Sequence, residues 1–469
     1  MSRTRTYTLP TKPAPIPDEF PLHELSRNLT RSHASTDAAD SQSTQQVLTS
    51  EQAANYNPDE DYPEGGYGWV IVAACFLNAA IWGGINYSWG VLQLTLVQDK
   101  LSSASTLSFI GGLSSACISA FATLNSNLVR RFGVRNCALA GSLLVGFAQI
   151  FSGWTTKNLG GMFVCSGFMM GVGMSILFMA GSTLPSQYFK RRRGLATGIV
   201  FSGSGIGGAV MSITIEALIQ RFGIAWAFRI IGIIALALMC PASWMLKERV
   251  RPKKGSFFEW RLFRDPKFTA FFFSAAIGLF PLFVAPFFLP LYGSSMGLST
   301  TSAAGLVAGF NLSSAVGRIG FGQIADYLGP INSLTLALTL NAISLLVIWP
   351  VSTSLAPLII FVVVNGTANG GFYSCIPSAV GSITDSSRFA SAMGLLVTGW
   401  AGGYLMASLH LSRAGAPIAG ILLSAYGGVD SGLKPYRPAM YYAGSLTCAS
   451  LGLLLLVRFN ANKKVLVKV

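Results

Sequence analysis

Long apolar stretches, each close to the length of one bilayer crossing, occupy most of the chain after a polar N-terminal segment. A transmembrane helix needs about 20 mostly apolar residues to cross ~30 Å of hydrocarbon. Six such stretches precede a basic connector and six follow it. We place them near 69–94, 104–128, 134–156, 158–182, 194–219, 223–246, 268–292, 299–325, 331–351, 355–380, 389–425 and 438–458. The pattern predicts an all-α integral membrane protein with 12 transmembrane helices in two six-helix halves.

The composition agrees with a protein covered by lipid. Hydrophobic residues make up 51% of the chain and charged residues only 11%, which is more apolar surface than a soluble domain could hide. A transmembrane β-barrel would show segments of about ten residues with alternating polarity. These stretches are instead continuous and rich in Gly, Ala, Leu and Ile. We therefore predict a helical bundle in the lipid bilayer.

The basic residues set the predicted topology. The chain carries a net charge of +15, and its Lys and Arg residues are concentrated in the even-numbered gaps between the predicted spans. Examples are Arg130 and Arg131 after the second span and residues 190–193 after the fourth. The positive-inside rule then places both termini in the cytoplasm. Because topology accounts for the positive charge, we infer no nucleic-acid partner.

The domain boundaries follow from the same pattern. Residues 1–62 are rich in Ser, Thr, Pro and Gln and poor in large apolar residues, so they cannot bury enough surface to fold. We predict a disordered cytoplasmic tail there. The N-terminal half covers 63–246, a basic cytoplasmic connector 247–267, the C-terminal half 268–460 and a short cytoplasmic tail 461–469.

The eleventh predicted stretch is too long for one crossing. Residues 390–425 continue without a clear interruption, and a helix of about 36 residues would extend ~54 Å at 1.5 Å per residue. The segment from Met406 to Arg413 includes His410 as well as that arginine, which is unusual for a span. We interpret these residues as an insertion.

The sequence contains no pattern typical of a metal or cofactor site. Its seven cysteines are scattered singly, mostly through apolar spans, and two of its three histidines lie in the N-terminal tail. These spacings fit neither a zinc nor a haem site. No phosphate loop of the form GxxxxGK[ST] is present, so the sequence does not predict an ATP-driven protein.

The first informative motif, EGGYGW, covers residues 64–69 at the start of the first span. Gly65 and Gly66 permit a tight backbone path, while Trp69 suits the membrane interface and Glu64 stays in water. An ordinary belt of interfacial aromatic residues would explain the aromatic side chains but not the glycines. The motif therefore predicts a specific structure at this end of the span.

The second motif joins a run of cations to a glycine-rich span. The cations fix the orientation of the helix, and the small residues let a neighbouring helix approach closely and shift with little resistance. A helix that only packs would carry a similar stripe of small residues. The motif comprises Tyr188, Phe189, Arg191, Arg192, Arg193 and Gly198.

Together these motifs resemble the monocarboxylate porter family of the major facilitator superfamily, and the sequence is most similar to the fungal branch. Residues 64–69 match the family pattern in full, and residues 188–198 match it within a shift of one residue. The resemblance implies a major facilitator fold in which two halves rock around a central site. It also implies a small-molecule substrate and transport driven by a coupled ion, most often H⁺.

The resemblance also indicates where a gate lies. Residues 317–329 (GRIGFGQIADYLG) look like the loop motif of the superfamily, with Asp326 available to cap or pair at a cytoplasmic helix end. In the first-half counterpart, Arg130 stands where the superfamily places Asp, and Arg131 follows it. We therefore expect a weaker charge lock between the cytoplasmic helix ends on that side.

Arg318 is the strongest candidate for binding substrate. It lies inside the eighth predicted span, and a charge within a span is costly unless it faces a cavity or a partner. Similar porters use an arginine in this span to hold the substrate carboxylate. A guanidinium suits this role because it forms paired hydrogen bonds. The alternative is that Arg318 reaches the cytoplasmic end of its helix or pairs with Asp326.

Several neutral polar side chains are further candidates for the substrate cavity. Any of them could equally bond a neighbouring helix. These candidates are Asn86, Tyr87, Asn311, Asn369 and Tyr373.

Two departures from the family pattern bear on the substrate. Animal lactate carriers place a lysine where this chain has Tyr87, and an aspartate where it has Ser314. With both changes, the substrate cavity suits a larger, weakly acidic organic molecule at least as well as it suits lactate. The fungal branch includes exporters of secondary metabolites, and we favour export.

Other functions are open at this point. Proton-coupled uptake of a monocarboxylate or vitamin is one alternative, and a nutrient sensor that transports nothing is another. A membrane enzyme is disfavoured because the spans lack a paired acid and base or an activated nucleophile. We expect the protein in the plasma membrane, with the vacuolar membrane as the alternative.

Overall fold

The structure is a computed structural model and describes residues 63–102, 104–249, 259–385, 388–401, 422–423, 425–426 and 432–461. The predicted N-terminal tail, the middle of the connector, the proposed insertion at 406–413 and most of the C-terminal tail lie outside the described residues. The described residues belong to one compact unit, Asp59–Val469.

Every regular element among the described residues is helical. The N-terminal helices are α1 (Tyr67–Gln98), α2 (Ala104–Ala120 and Ala122–Phe132), α3 (Val134–Ser152), α4 (Leu159–Tyr188), α5 (Arg193–Phe222) and α6 (Ile224–Trp244). The C-terminal helices are α7 (Pro266–Ser295), α8 (Thr300–Leu328), α9 (Pro330–Val351), α10 (Leu355–Ile383), α11 (Phe389–Gly399) and α12 (Arg437–Ala461). The continuous apolar runs thus form helices, which confirms the predicted fold class at this level.

The number of membrane crossings is a separate question from the number of helices. Within the described ranges, nine helices are long and apolar enough to cross a bilayer, or ten if α2 is counted as one span despite a 54° bend. Neither α8 nor the described part of α11 is among them. The count of twelve crossings and the side on which the termini lie therefore stay predictions.

Three tight turns recur at intervals of three helices. Gly133, Gly223 and Gly329 connect α2 to α3, α5 to α6 and α8 to α9, with φ angles of 84°, 78° and 92°. A positive φ is accessible to glycine without steric cost, so a single residue ends one helix and starts the next. The recurrence indicates a repeated three-helix unit.

Close helix contacts depend on small residues at specific positions. A Cβ added at Gly207 of α5 would clash with the backbone of Ala80 in α1. A Cβ added at Gly322 of α8 would likewise clash with the carbonyl oxygen of Gly194 in α5. Backbone contact of this kind stabilises helix pairs in lipid, where apolar burial between helices adds little. α5 therefore packs tightly on α1 at one face and on α8 at another.

A second, smaller hydrophobic cluster lies within the C-terminal helices. We call it the satellite core, and its aromatic members include Tyr292, Trp349, Phe361 and Tyr436. Trp349 stacks on Phe361 with ring centroids 4.6 Å apart, and Tyr292 meets Tyr436 edge to face at 5.2 Å. The main core, by contrast, includes residues from both sets of helices.

Candidate functional site

The two sequence motifs contact each other directly. Glu64 Oε1 accepts a hydrogen bond from the backbone N–H of Lys190 at 2.7 Å and another from that of Arg191. The rings of Trp69 and Phe189 lie 4.9 Å apart, and a Cβ at Gly68 would meet the Phe189 ring at 3.0 Å. The first motif thus serves as a docking partner for the second, a contact that sequence reasoning missed.

The residues that follow α6, including the first residue of the connector, are attached to the same region. The Tyr67 hydroxyl donates to Met245 O at 2.6 Å, and the Tyr188 hydroxyl donates to Lys247 O at 2.9 Å. Arg135 Nε donates to Leu246 O at 3.0 Å. These bonds fix the connector to the N-terminal helices. We call this end of the bundle, which carries residues 130–131 and 190–193, the basic end.

Asp326 joins the two sets of helices at the basic end. Its Oδ1 accepts from Gly194 N–H at 2.7 Å and its Oδ2 accepts from Leu195 N–H at 2.9 Å. The carboxylate, which lies on α8, therefore caps the first turn of α5. A negative charge at a helix N-terminus interacts favourably with the unpaired N–H groups and with the helix dipole.

A second junction at the basic end involves the connector. Arg130 Nη1 on α2 donates to Ser391 Oγ on α11 at 2.8 Å and lies 3.6 Å from Glu259 Oε1. Arg388 Nε lies 3.8 Å from Glu259 Oε2. The Arg130 side chain is 5% exposed, that of Glu259 16% and that of Arg388 50%. We call these four residues the connector latch.

The connector latch bears on the charge lock that the sequence predicts to be weak at Arg130. The sequence places Arg130 where the superfamily has an acid, but Glu259 supplies a carboxylate from the connector. Arg131, the other predicted gating cation here, is exposed and lies over the Phe132 ring at 5.5 Å. Nearby, Thr123 and Thr398 share a hydrogen bond of 2.7 Å between α2 and α11.

Arg318 lies deeper in the bundle and bridges the two sets of helices. Only 4% of its surface is exposed. From α8, its Nη1 donates to Phe201 O at 2.7 Å and to Ser204 Oγ on α5, and its Nη2 donates to Tyr87 OH on α1 at 3.3 Å. Its guanidinium carbon also lies 5.4 Å from the centre of the Tyr373 ring on α10.

The Arg318 side chain points away from the basic end. Its carbonyl oxygen lies against Gly198, whereas its guanidinium reaches Ser204, which is further along α5 and close to the middle of this 30-residue helix. The alternative in which Arg318 reaches the basic end or pairs with Asp326 does not match this geometry. The guanidinium instead lies near the centre of the bundle.

The charge of Arg318 has no acidic partner among the described residues. No carboxylate of the described chain lies within ion-pairing distance of it, and its buried Nε donates no hydrogen bond. A buried cation held only by neutral groups keeps an unfavourable desolvation energy. An anion that reaches this position would therefore be bound favourably.

An aromatic cluster borders Arg318. Tyr373 and Trp400 have ring centroids 6.1 Å apart at 88°, and Phe178 lies 6.2 Å from Trp400 and 5.3 Å from Phe201. The cluster joins α4 and α5 to α10 and α11. Sequence reasoning selected Tyr373 but missed Trp400 and Phe178, because an aromatic residue in an apolar helix gives the same pattern when it only packs.

The predicted amide candidates mostly bond neighbouring helices. Asn86 donates to Ser115 Oγ at 3.1 Å and accepts from Ser114 Oγ at 3.2 Å. Asn369 donates to Leu282 O at 3.0 Å. Asn311 is half-buried on α8, and its carbonyl oxygen faces α5. Of the neutral candidates, the structure brings only Tyr87 and Tyr373 to Arg318.

No group of three or more His, Cys, Asp or Glu side chains in the described ranges is arranged to hold a metal ion. Arginine, hydroxyl and aromatic groups dominate the centre instead. Such a set can bind an organic anion, but it offers neither metal ligands nor an activated nucleophile.

The chain is similar in sequence to one protein family and to two proteins named for efflux. A family model described as Major Facilitator Superfamily matches residues 71–408. The aspyridones efflux protein apdF of Emericella nidulans is 32% identical over 79% of this chain and 74% of its own. The agnestins efflux protein AgnL12 of Paecilomyces divaricatus is 28% identical over 85% of this chain and 89% of its own.

Comparison with solved structures gives the same fold. The E. coli fucose:proton symporter FucP superimposes with a TM-score of 0.64 at 12% identity, over 82% of this chain and 98% of its own. The human organic anion transporter MFSD10 gives a TM-score of 0.63 at 14% identity, over 84% of this chain and all of its own. At such identities the likeness shows the fold alone.

Proposed function

The chain belongs to the Major Facilitator Superfamily and is a membrane transporter, and from this premise we propose that it exports a weakly acidic organic metabolite by alternating access. Two relatives are named for the efflux of aspyridones and of agnestins, which supports export over uptake. Assignment to the monocarboxylate porter family belongs to the proposal and is supported by its two motifs, which contact each other at the basic end.

The observation that carries the proposal is the environment of Arg318. This guanidinium is buried near the middle of the bundle, has no acidic partner among the described residues and bridges α8 to α1 and α5. A guanidinium binds carboxylates and related anions through directed, charge-assisted hydrogen bonds. The adjoining aromatic rings suit an organic body larger than that of lactate.

Alternating access requires the contacts at the basic end to open and close. In the structure, Asp326 caps α5, the connector latch joins α2 to α11, and Thr123 bonds Thr398. We assign this arrangement to the state in which the basic end is closed. With both termini in the cytoplasm of a cell-surface carrier, that end faces the cytosol.

The substrate takes the place of internal bonds during the cycle. Arg318 is attached to Phe201 and Ser204 on the N-terminal side, so movement of the two sets relative to each other would leave its N–H groups unpaired. An anionic substrate would satisfy them in the open state. Binding energy of this kind shifts the population towards the state that holds the substrate.

The positions of the acidic residues constrain proton coupling. Of the 18 Asp and Glu residues in the chain, only Glu216 and Asp326 lie within the described helices, and both lie close to a helix end. A carboxylate in the middle of a span, which often carries the coupled proton in transporters, is therefore absent there. A proton-coupled cycle would therefore need a proton carrier other than a carboxylate in the middle of a described helix.

A comparison of metabolites in a deletion strain and its parent tests this function. Export predicts a compound that is retained in the mutant cells and missing from their medium. Restoring the full chain should return that compound to the medium. A nutrient left unconsumed in the mutant medium would instead establish uptake, and an unchanged metabolite profile with altered gene expression would favour the sensor.

A further inference from the structure

We propose that Trp400 acts with Arg318 as a second hydrogen-bond donor to the substrate, and that the substrate is a planar aromatic acid with a second oxygen acceptor. The inference rests on the proposed function and specifies its substrate class. It comes from two buried N–H groups that the described protein leaves without acceptors.

The first of these groups is the indole of Trp400. The residue is 1% exposed, and its Nε1–H is buried with no hydrogen-bond partner in the part of the chain that the structure describes. The second is Nε–H of Arg318, which is also buried and donates no hydrogen bond to any described residue. Leaving a buried donor unpaired is unfavourable, and most buried polar groups in proteins have a partner. Two such donors in one cluster therefore indicate a missing acceptor.

Both donors belong to side chains that contact Tyr373. The guanidinium carbon of Arg318 lies 5.4 Å from the centre of the Tyr373 ring, and the Trp400 ring lies 6.1 Å from the same centre. Both donor-bearing side chains thus adjoin the same aromatic ring. A ligand of similar size could place one acceptor at each of them.

The location favours a transported ligand over a permanent partner. Trp400 follows α11 and contacts Phe178 of α4, and Arg318 of α8 bonds α5. Both side chains therefore bridge the N-terminal and C-terminal helices, which must separate for access from the basic end. When the two sets move apart, the donors become accessible between them.

The surrounding rings determine the shape of the ligand. The Tyr373 ring is perpendicular to that of Trp400, and Phe372 and Phe178 complete the cluster at 6.1 and 6.2 Å from Trp400. Aromatic groups favour offset-stacked and edge-to-face contacts with other rings. A planar acid can hold its anionic oxygen at Arg318 and a carbonyl or hydroxyl oxygen at Trp400. An unsubstituted aliphatic monocarboxylate offers only the first contact.

Two small acids of nearly equal shape serve as probes. 4-Acetylbenzoate carries a carboxylate and a carbonyl oxygen across one ring, and 4-ethylbenzoate carries the carboxylate alone. Binding to the purified full-length carrier is measured for each by equilibrium dialysis. The proposal predicts that the wild-type carrier binds 4-acetylbenzoate about tenfold more tightly, because an unpaired donor disfavours the analogue that lacks the acceptor.

Trp400→Phe keeps a ring but removes the donor, so it should abolish the preference between the two acids. Trp349→Phe is the matched control, because Trp349 is also 1% exposed and also has an unbonded Nε1–H, but lies in the satellite core. It should leave the preference intact. Arg318→Gln should weaken binding of both acids.

The outcomes separate this inference from the proposed function. If the wild-type carrier binds both acids equally and Arg318→Gln weakens both, the two-donor site is wrong while the anion site stands. Equal loss of preference in Trp400→Phe and Trp349→Phe would also overturn the assignment to Trp400. If neither acid binds the wild-type carrier, the aromatic-acid site is overturned, whereas the proposed export of an acid still has its own test. If both acids bind but Arg318→Gln changes neither affinity, the anion site at Arg318 is overturned as well.

Discussion

At the level of single residues, the proposed substrate site is a buried charge that has no acidic partner among the described residues. Arg318 is held by a carbonyl oxygen and two hydroxyl groups, which orient the guanidinium without neutralising it. The sequence could predict the importance of this arginine, because a cation inside a span needs a reason. It could not predict the neighbours, since Phe201 and Ser204 lie more than a hundred positions away and resemble ordinary packing residues.

Substitution of Arg318 should affect substrate affinity more than protein folding. We expect Arg318→Ala to weaken binding of the transported acid by about 10- to 100-fold, the range for losing a hydrogen bond to a charged group. Arg318→Lys should retain part of the affinity, because it keeps the charge but not the paired geometry. The affinity of each variant is measured from the dependence of transport on substrate concentration, at matched surface expression.

The matched control for this prediction is Arg221→Ala, which removes an exposed arginine at the end of α5. It should leave the affinity unchanged. An unaltered affinity in both Arg318 variants would contradict the role of Arg318 in binding the acid.

At the scale of helices, the junction of α5 and α8 sets how tightly the basic end closes. Gly194 and Gly322 approach so closely that neither tolerates a Cβ without movement of the backbone. The sequence predicted that the glycines permit close approach. It did not reveal the partner, because a stripe of small residues does not specify which helix lies against it.

Gly322→Ala should therefore disfavour the closed basic end. The added methyl would clash with Gly194 O and push α5 from α8, so we expect a lower melting temperature and a higher fraction of basic-end-open molecules. Gly320→Ala on the same helix is the control, because no atom lies within 4 Å of its Cβ position. Similar effects of the two substitutions would show that helix propensity, not the α5 contact, is responsible.

Two substitutions in the connector latch should have opposite effects on the opening of the basic end. Glu259 lies between Arg130 and Arg388, so Glu259→Gln removes the shared acid and should open the basic end. Arg388→Gln removes a competing cation and should strengthen the attraction of Glu259 for Arg130. The readout is the labelling rate of Thr398→Cys by a thiol reagent in a background without the native cysteines.

Thr398 suits this readout because its hydroxyl lies 2.7 Å from that of Thr123 when the basic end is closed. Labelling should be faster with Glu259→Gln and slower with Arg388→Gln. Glu216→Gln, an exposed acid on α5, should change nothing. Labelling that changes in the same direction in both latch variants would contradict the competition between the two arginines.

At the scale of the whole molecule, the sequence was most informative about class and least informative about contacts. Long apolar runs, few charges and basic gaps predict a helical membrane protein because lipid demands them along the entire chain. The docking of the two motifs, the 54° bend in α2 and the contribution of Glu259 depend on residues distant in sequence. No local pattern contains that information.

Deletion of residues 1–60 separates a carrier from a sensor. The motif at Glu64 docks on residues 188–191 beyond the deleted segment, so the transport machinery should remain intact. We expect transport at wild-type rates, measured at matched surface expression. A sensor would lose its output while any residual substrate binding persisted, and loss of transport itself would show that the tail has a role in transport.

A transport assay in proteoliposomes tests most directly whether the guanidinium of Arg318, which has no acidic partner among the described residues, binds the anionic group of the substrate. It compares the metabolite found by the deletion experiment with its methyl ester, in wild-type carrier and in Arg318→Gln. We expect the wild-type carrier to transport the acid and to discriminate against the ester by about tenfold or more, and we expect Arg318→Gln to lose this discrimination. Equal transport of acid and ester by the wild-type carrier would contradict binding of the anionic group by Arg318.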